Sequence, residues 1–139
     1  MHRLVSASLG VMMIIALASC GGSGSGDGPG GDVAVTLRDF SLNVEPATFS
    51  SGDITFGIQN DGPSAHEFVI FRSDEEPGQL PVDNGLIPED QVDLVDEVED
   101  IAPGTNTTIS VNLAAGSYVL VCNLSDHYEA GMYSGFTVK

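Results

Sequence analysis

Short runs of alternating apolar and polar residues recur along the chain from residue 33 onward. The clearest runs are residues 33–38, 54–59 and 109–114, and a short run at 136–139 closes the chain. Two more, 67–72 and 117–122, are almost continuously apolar, as central strands are. Turn sequences rich in Gly, Pro and Asp separate the runs. A repeat of two is that of a half-buried strand, so the sequence predicts an all-β fold, an antiparallel β-sandwich.

One stretch, residues 73–100, departs from this pattern. It is strongly acidic, contains Pro77, Pro81 and Pro88, and lacks a clean repeat of two. We expect an acidic loop excursion at the surface, with one short helical piece near residues 89–95. A long loop in a small domain is often functional, but a solvated insertion explains the stretch equally well.

The first 31 residues have the features of an export signal followed by a tether. An apolar run leads to Leu17-Ala18-Ser19-Cys20, which resembles the lipobox of prokaryotic lipoproteins. We expect residues 1–20 to be a signal peptide with Cys20 as the lipidated residue, and residues 21–31, rich in Gly and Ser, to be a flexible linker. An ordinary signal peptide is the alternative. Residues 32–139 then form one domain, anchored by lipid to the outer face of the cell membrane, periplasmic or at the cell surface.

The charge of the chain limits its partners. Twenty acidic residues stand against four basic ones, which gives a formal net charge of −16. Such a surface argues against binding to nucleic acid or to anionic lipid headgroups. It fits a protein that docks on a basic partner, one adapted to high salt, or one whose charge serves only solubility.

The metal-binding side chains of the predicted domain form a small set without spares. After Cys20 the chain contains one Cys, two His and one Met, which are Cys122, His66, His127 and Met132. Two imidazoles and one thiolate with a weak axial thioether are the ligands of a blue copper electron-transfer site. An unpaired Cys in an oxidising compartment also needs an explanation, and ligation of copper supplies one.

The spacing of these four residues allows them to meet. Cys122 ends an apolar run, four residues separate it from His127, and four more separate His127 from Met132. His66 follows the turn at 60–63 and opens the strand predicted at 67–72. In a sandwich, the start of that strand can lie beside the end of the strand that carries Cys122. Taken singly, each residue has an ordinary structural explanation, and only the joint pattern favours a metal site.

Two blocks of this sequence, residues 60–70 and residues 118–132 with 136–138 after them, resemble the cupredoxins, the family of plastocyanin and azurin. The similarity includes small prokaryotic lipoproteins that share a His-Glu-Phe strand and a Cys-Asn…His-Tyr…Gly-Met loop. It implies a Greek-key sandwich of about eight strands. It further implies one type 1 copper ion, with Cys122, His66 and His127 as equatorial ligands and Met132 as the axial ligand. Glu67 stands where plastocyanin and azurin usually carry Asn.

The resemblance implies a carrier of single electrons rather than an enzyme. It makes His127 the electron port, within an apolar patch to which Tyr128, Met132 and Tyr133 could contribute. The partners would be a redox donor and acceptor with a basic docking surface, and the protein would be a monomer. A copper chaperone or buffer is the alternative, and a sandwich that has lost its metal is a further one. Copper enzymes of this fold need further copper centres, for which the chain after Cys20 has no His besides His66 and His127.

Overall fold

The computed structural model describes residues 29–139, and in this part of the chain it contains nine strands and no α-helix. A single 3₁₀ turn spans Pro77–Gln79. The strands are β1 (Val33–Arg38), β2 (Ser41–Glu45), β3 (Thr48–Phe49), β4 (Gly52–Asn60), β5 (His66–Arg72), β6 (Asp93–Ile101), β7 (Asn106–Leu113), β8 (Gly116–Val121) and β9 (Tyr133–Val138).

These strands form two sheets, with the orders β2-β1-β4-β7 and β3-β9-β8-β5-β6. The predicted all-β sandwich is therefore confirmed. Most neighbours are antiparallel, but β1 pairs with β4 and β3 pairs with β9 in parallel, so both sheets are mixed. Between β1 and β4 the chain passes through β2 of the same sheet and the two-residue β3 of the other sheet.

The main core lies between the two sheets. Val33, Val35 and Leu37 of β1 are at most 1% exposed, as the alternation of their strand predicts. The facing sheet contributes alternate residues of its central strands, including Phe68, Ile70 and Leu120. Cys122 and Met132 belong to the same buried cluster, so the predicted ligands lie at one end of the core.

A second core covers the outer face of β5 and β8. The intervening residues of these strands, Val69, Phe71, Val119 and Val121, pack with Leu80, Ile87 and Tyr128. The loop at residues 73–92 supplies Leu80 and Ile87 and so forms a third layer over this sheet. Because both faces of β5 and β8 are covered, their sequences are apolar throughout.

The prediction of a short helical piece near residues 89–95 is wrong. The chain there enters β6, an edge strand that pairs with β5. The acidic side chains of β6 lie at the surface, while Val98 and Ile101 pack against the main core. Edge strands commonly carry charge, which discourages pairing with other chains.

The predicted signal peptide, Cys20 and residues 21–28 of the predicted linker lie outside the described residues. Within residues 29–139 we find no helix with the length and apolar character needed to cross a bilayer.

Candidate metal centre

Cys122 lies immediately after β8 and is completely buried. Its N–H donates to the carbonyl oxygen of Met132 (3.0 Å), which ties the two ends of the following loop together. Its Sγ accepts a hydrogen bond from the N–H of Glu67 (3.3 Å), the first residue after His66. The sulfur is therefore held between β5 and the loop of residues 122–132, which we call the ligand loop.

Main-chain hydrogen bonds within the ligand loop bring His127 back to Cys122. The N–H of His127 donates to Leu124 (3.0 Å), and the N–H of Met132 donates to the carbonyl of His127 (3.1 Å). Gly131 has a φ of 112°, which L side chains rarely adopt, and there the chain turns into β9. The geometry of this loop is thus set by its own backbone.

The two imidazoles and the thiol converge on one point. The Nδ1 atoms of His66 and His127 lie 3.7 Å and 3.4 Å from the Sγ of Cys122. One ligand atom from each of the three residues lies within 4.8 Å of the others. The sequence prediction that these three residues meet agrees with this geometry.

A metal ion fits between these atoms. With metal–ligand distances of about 2.0 Å to imidazole nitrogen and 2.3 Å to thiolate sulfur, as for zinc, trigonal angles of ~120° separate nitrogen from sulfur by about 3.7 Å. The two Nδ1···Sγ distances of 3.7 Å and 3.4 Å are close to this value. The donors also suit copper, which binds thiolate and imidazole well.

The protonation of these groups follows from their surroundings. Burial raises the pKa of the Cys122 thiol, although hydrogen bonds from the main chain of Glu67 and Leu124 oppose this. Burial lowers the pKa of His127, and the nearby His66 lowers it further. A neutral imidazole is ready to bind a metal ion, whereas the thiol must release its proton when it does so.

Met132 is 0% exposed and is hydrogen-bonded through its main chain to Cys122 and His127. Its carbonyl oxygen accepts from Cys122 and its N–H donates to His127, so the backbone places it next to the three converging groups. Its role as the axial ligand stays a prediction.

Two residues near the site carry no sequence signal. Asp39 lies in the turn between β1 and β2, and its Oδ1 is 2.8 Å from the Nε2 of His66. The hydrogen bond from Ser64 is the largest influence on the Asp39 carboxyl and lowers its pKa, and His66 adds to this effect. Phe40 packs the edge of its ring against His127, with ring centroids 5.2 Å apart. Only the tertiary fold brings this turn to the imidazoles.

The apolar surface beside His127 differs from the one expected. Tyr128 and Met132 are 3% and 0% exposed, so the prediction that they form a surface patch is wrong. Tyr133 is partly exposed but packs on Tyr128. The exposed ring next to His127 is that of Phe40, of which 52% is accessible.

The loop at residues 73–92 braces the ligand loop. The side chain of Asn123 accepts from the N–H of Ile87 (2.8 Å) and donates to its carbonyl (3.1 Å). The hydroxyl of Tyr128 donates to the carbonyl of Pro77 (2.6 Å) and accepts from the N–H of Leu80 (3.0 Å). The excursion is therefore fastened to the residues that flank His127.

Glu67, the departure from the family pattern, contributes its main chain to Cys122. Its carboxyl is partly buried, and burial is the main reason that its pKa is raised. The acidic groups of Glu99, Glu97 and Glu89 raise it further. The side chain thus lies at the margin of an acidic surface rather than in a hydrogen bond to a ligand.

The sequence matches no protein-family model and no curated protein. Solved structures do match the fold. Reduced auracyanin from the photosynthetic bacterium Roseiflexus castenholzii is 23% identical, with a TM-score of 0.56 over 76% of this chain and 94% of that chain. Auracyanin A from Chloroflexus aurantiacus, a "blue" copper protein, is 14% identical, with a TM-score of 0.55 over 76% and 96%. Rusticyanin from Thiobacillus ferrooxidans is 19% identical, with a TM-score of 0.57 over 77% and 75%. The described chain therefore has the cupredoxin fold, with two His and one Cys converging at one end of its core.

Proposed function

We propose that this protein binds one copper ion through His66, Cys122 and His127, with Met132 as a weak axial ligand, and carries single electrons. The observation that supports this most is the convergence of two Nδ1 atoms on a buried Sγ, at 3.7 Å and 3.4 Å. Two imidazoles, a thiolate and an axial thioether are the ligands of blue copper sites. Copper at such a site supplies a reversible one-electron couple.

The surrounding residues suit electron transfer because they keep the predicted ligands rigid and shielded from water. His66, Cys122 and Met132 are fully buried, which excludes water from most of the site. Main-chain hydrogen bonds fix the ligand loop, and the N–H of Glu67 holds the sulfur. Ligands held this way rearrange little when the charge of the centre changes. The partly exposed His127, next to Phe40, gives electrons a short way to the surface.

The proposed partners are redox proteins with a basic docking surface. The net charge of −16 and the acidic edge strand β6, beside the strand that starts at His66, support this part of the proposal. Electrostatic attraction of this kind raises the rate of encounter and weakens as salt increases. We therefore expect the rate of electron exchange with a basic partner to fall with ionic strength, and an unchanged rate would contradict steering.

We further propose that the protein acts outside the cytoplasm, as a monomer anchored through a lipid on Cys20. The lipobox-like sequence and the Gly-rich segment after it support this location. Labelling with a radioactive lipid precursor should then mark the parent protein but not Cys20→Ala. An unlabelled parent protein, or a labelled Cys20→Ala, would contradict the anchor without affecting the copper site.

A visible spectrum of the full chain with one equivalent of Cu(II) tests the copper site. We expect an intense absorption from thiolate-to-copper charge transfer, which bleaches on reduction and returns on oxidation. Cys122→Ala should abolish it, and Cys20→Ala, which removes the other cysteine, should leave it intact. Tight Cu(I) binding without a reversible coloured Cu(II) state would instead indicate a copper chaperone or buffer.

A further inference from the structure

The two nitrogens of His66 face different groups, and its ring is completely buried. Nδ1 lies 3.7 Å from the Sγ of Cys122, and Nε2 lies 2.8 Å from the Oδ1 of Asp39. A nitrogen that binds a metal ion must be free of a proton, so in the neutral ring the proton belongs on Nε2. A carboxylate beside Nε2 favours this tautomer because it accepts that proton in a hydrogen bond.

Asp39 is itself held in place from the turn between β4 and β5. Its Oδ2 accepts a hydrogen bond from the hydroxyl of Ser64 (2.6 Å). At Gly62 a Cβ would lie 2.8 Å from Asp39 Oδ1 and 3.0 Å from His66 Nε2, so a side chain there would have to displace the carboxylate or the ring. The two turns therefore flank the contact, in which the imidazole is buried and the side chain of Asp39 is 21% exposed.

The buried side chain of Asn60 shapes the turn between β4 and β5. Its Oδ1 accepts from the N–H of Gly62 (2.9 Å), and its Nδ2 donates to the carbonyls of Ser64 and Ile101 (2.9 Å each). Asn60 is 0% exposed, so these bonds are formed without competition from water. The position of Ser64, and through it that of Asp39, follows from this network.

Among residues 29–139, no carboxylate is hydrogen-bonded to His127. Its Nδ1 faces the same sulfur, and its ring packs against those of His66 and the exposed Phe40. The carboxylate is therefore a feature of only one of the two imidazoles, and the sequence motif of the site does not include it.

We propose that Asp39 is a positioning residue, which fixes His66 in the tautomer that binds metal through Nδ1 and, by its negative charge, favours the more highly charged state of the centre. The proposal rests on the proposed copper site. A carboxylate bonded to a ligand imidazole makes the ring a better donor. Better donation stabilises Cu(II) more than Cu(I), so Asp39 should lower the reduction potential.

Asp39→Asn separates the charge from the hydrogen bond, because the amide oxygen can still accept from Nε2. We expect Cu(II) affinity to fall by about 10-fold to 100-fold, the usual effect of changing such a partner. Cu(I) affinity should fall less, and each tenfold difference between the two losses raises the potential by about 59 mV. Asp61→Asn is the matched control, since Asp61 lies in the turn between β4 and β5 but pairs with Arg38 (2.8 Å). It should change neither quantity appreciably.

The tautomer can be read without metal, from the ring nitrogen shifts of His66 in NMR spectra of the metal-free full chain. The parent protein and Asp39→Asn should carry the proton on Nε2, and Asp39→Ala should show a mixture of tautomers. Ser64→Ala is a milder variant, which should loosen the carboxylate while the fold stays intact. It should shift the potential in the same direction as Asp39→Asn, but less.

The outcomes separate this inference from the proposed function. A coloured, reversible copper site with the same potential and affinities in Asp39→Asn as in Asp61→Asn would overturn the role of Asp39. A proton on Nδ1 of His66 in the metal-free parent protein would overturn it as well. Absence of the coloured state in the parent protein would instead contradict the proposed function, whatever the tautomer of His66.

Discussion

His66 and His127 present the same nitrogen atom to the same sulfur, yet the two imidazoles are held in different ways. His66 opens β5, an interior strand of its sheet, is 0% exposed and is hydrogen-bonded to Asp39. His127 lies in a loop wound by its own main-chain hydrogen bonds, is partly exposed and touches Phe40. In the proposed function these two settings correspond to two roles, in which His66 anchors the centre and His127 connects it with the surface.

This difference follows from where each residue lies in the fold. The strand of His66 is covered on one face by the main core and on the other by the second core, so its position depends on the whole sandwich. The position of His127 depends on a few hydrogen bonds and on the loop at residues 73–92 that braces its neighbours Asn123 and Tyr128. Local changes should therefore affect the two sides of the centre unequally.

The largest expected effect comes from replacing each imidazole by Gly. Both His66→Gly and His127→Gly should lose the coloured copper state, because each removes one of three strong ligands. Added imidazole should restore the colour of His127→Gly at much lower concentration, because the vacated position opens to solvent. A titration with imidazole, followed by visible absorption, measures this. Equal rescue of the two variants, or better rescue of His66→Gly, would contradict the division between anchor and port.

A smaller effect is expected when the brace of the ligand loop is removed. Asn123→Ala leaves the buried N–H and carbonyl of Ile87 without partners, and should lower the free energy of unfolding by about 1–3 kcal/mol. Asn112→Ala, which removes an exposed amide bonded to Asp53, is the control and should cost about 0.5 kcal/mol or less. Urea denaturation of both variants measures the two values.

The same variant also tests whether the two imidazoles are held by separate parts of the fold. In Asn123→Ala the amides of the ligand loop should exchange hydrogen faster, while the amides of β5 should keep their protection. Equal loss of protection in β5 would mean that His66 and His127 are held by one cooperative unit rather than two.

The smallest expected effect is a change of stability with pH that arises from β6, the acidic strand beside the strand of His66. Burial raises the pKa of Glu97, and the neighbouring Glu89, Glu99 and Asp96 raise it further. The folded protein therefore binds a proton more readily than the unfolded chain does, so this group favours folding most at low pH. Its contribution is lost as pH rises from about 4.3, the ordinary value for Glu, through the folded pKa.

Glu97→Gln should remove this pH dependence of the free energy of unfolding, which for so exposed a group is worth about 0.5 kcal/mol or less. Denaturation curves between these pH limits measure it, with Glu45→Gln on the other sheet as the control. If the free energy of unfolding changes with pH equally in Glu97→Gln and in the parent protein, the pH dependence arises from other groups.

Much of this architecture could be predicted from local patterns in the sequence. Strands such as β1 and β4 alternate cleanly because only one of their faces is buried, and the scarce soft ligands could be found by counting. β6 could not be recognised, because five of its nine residues are acidic and its apolar residues, including Val95, Val98 and Ile101, do not alternate. The bulges where β5 pairs with β6 interrupt the repeat further.

Other features depend on contacts between distant parts of the chain. Leu80 and Ile87 are isolated apolar residues in an acidic stretch, and only the apolar outer face of β5 and β8 gives them a place to pack. Asp39 precedes His66 by 27 residues and reaches it because the turns β1–β2 and β4–β5 lie at the same end of the sandwich. Neither spacing nor composition marks such residues.

X-ray absorption at the copper edge of the loaded protein is the most direct test of copper binding by Cys122 and two imidazoles, because it reports the atoms bound to the ion. We predict one short sulfur neighbour and two imidazole nitrogens, with the short sulfur absent from Cys122→Ser. A copper ion surrounded only by nitrogen and oxygen in the parent protein, or one that keeps its short sulfur in Cys122→Ser, would contradict the site described above.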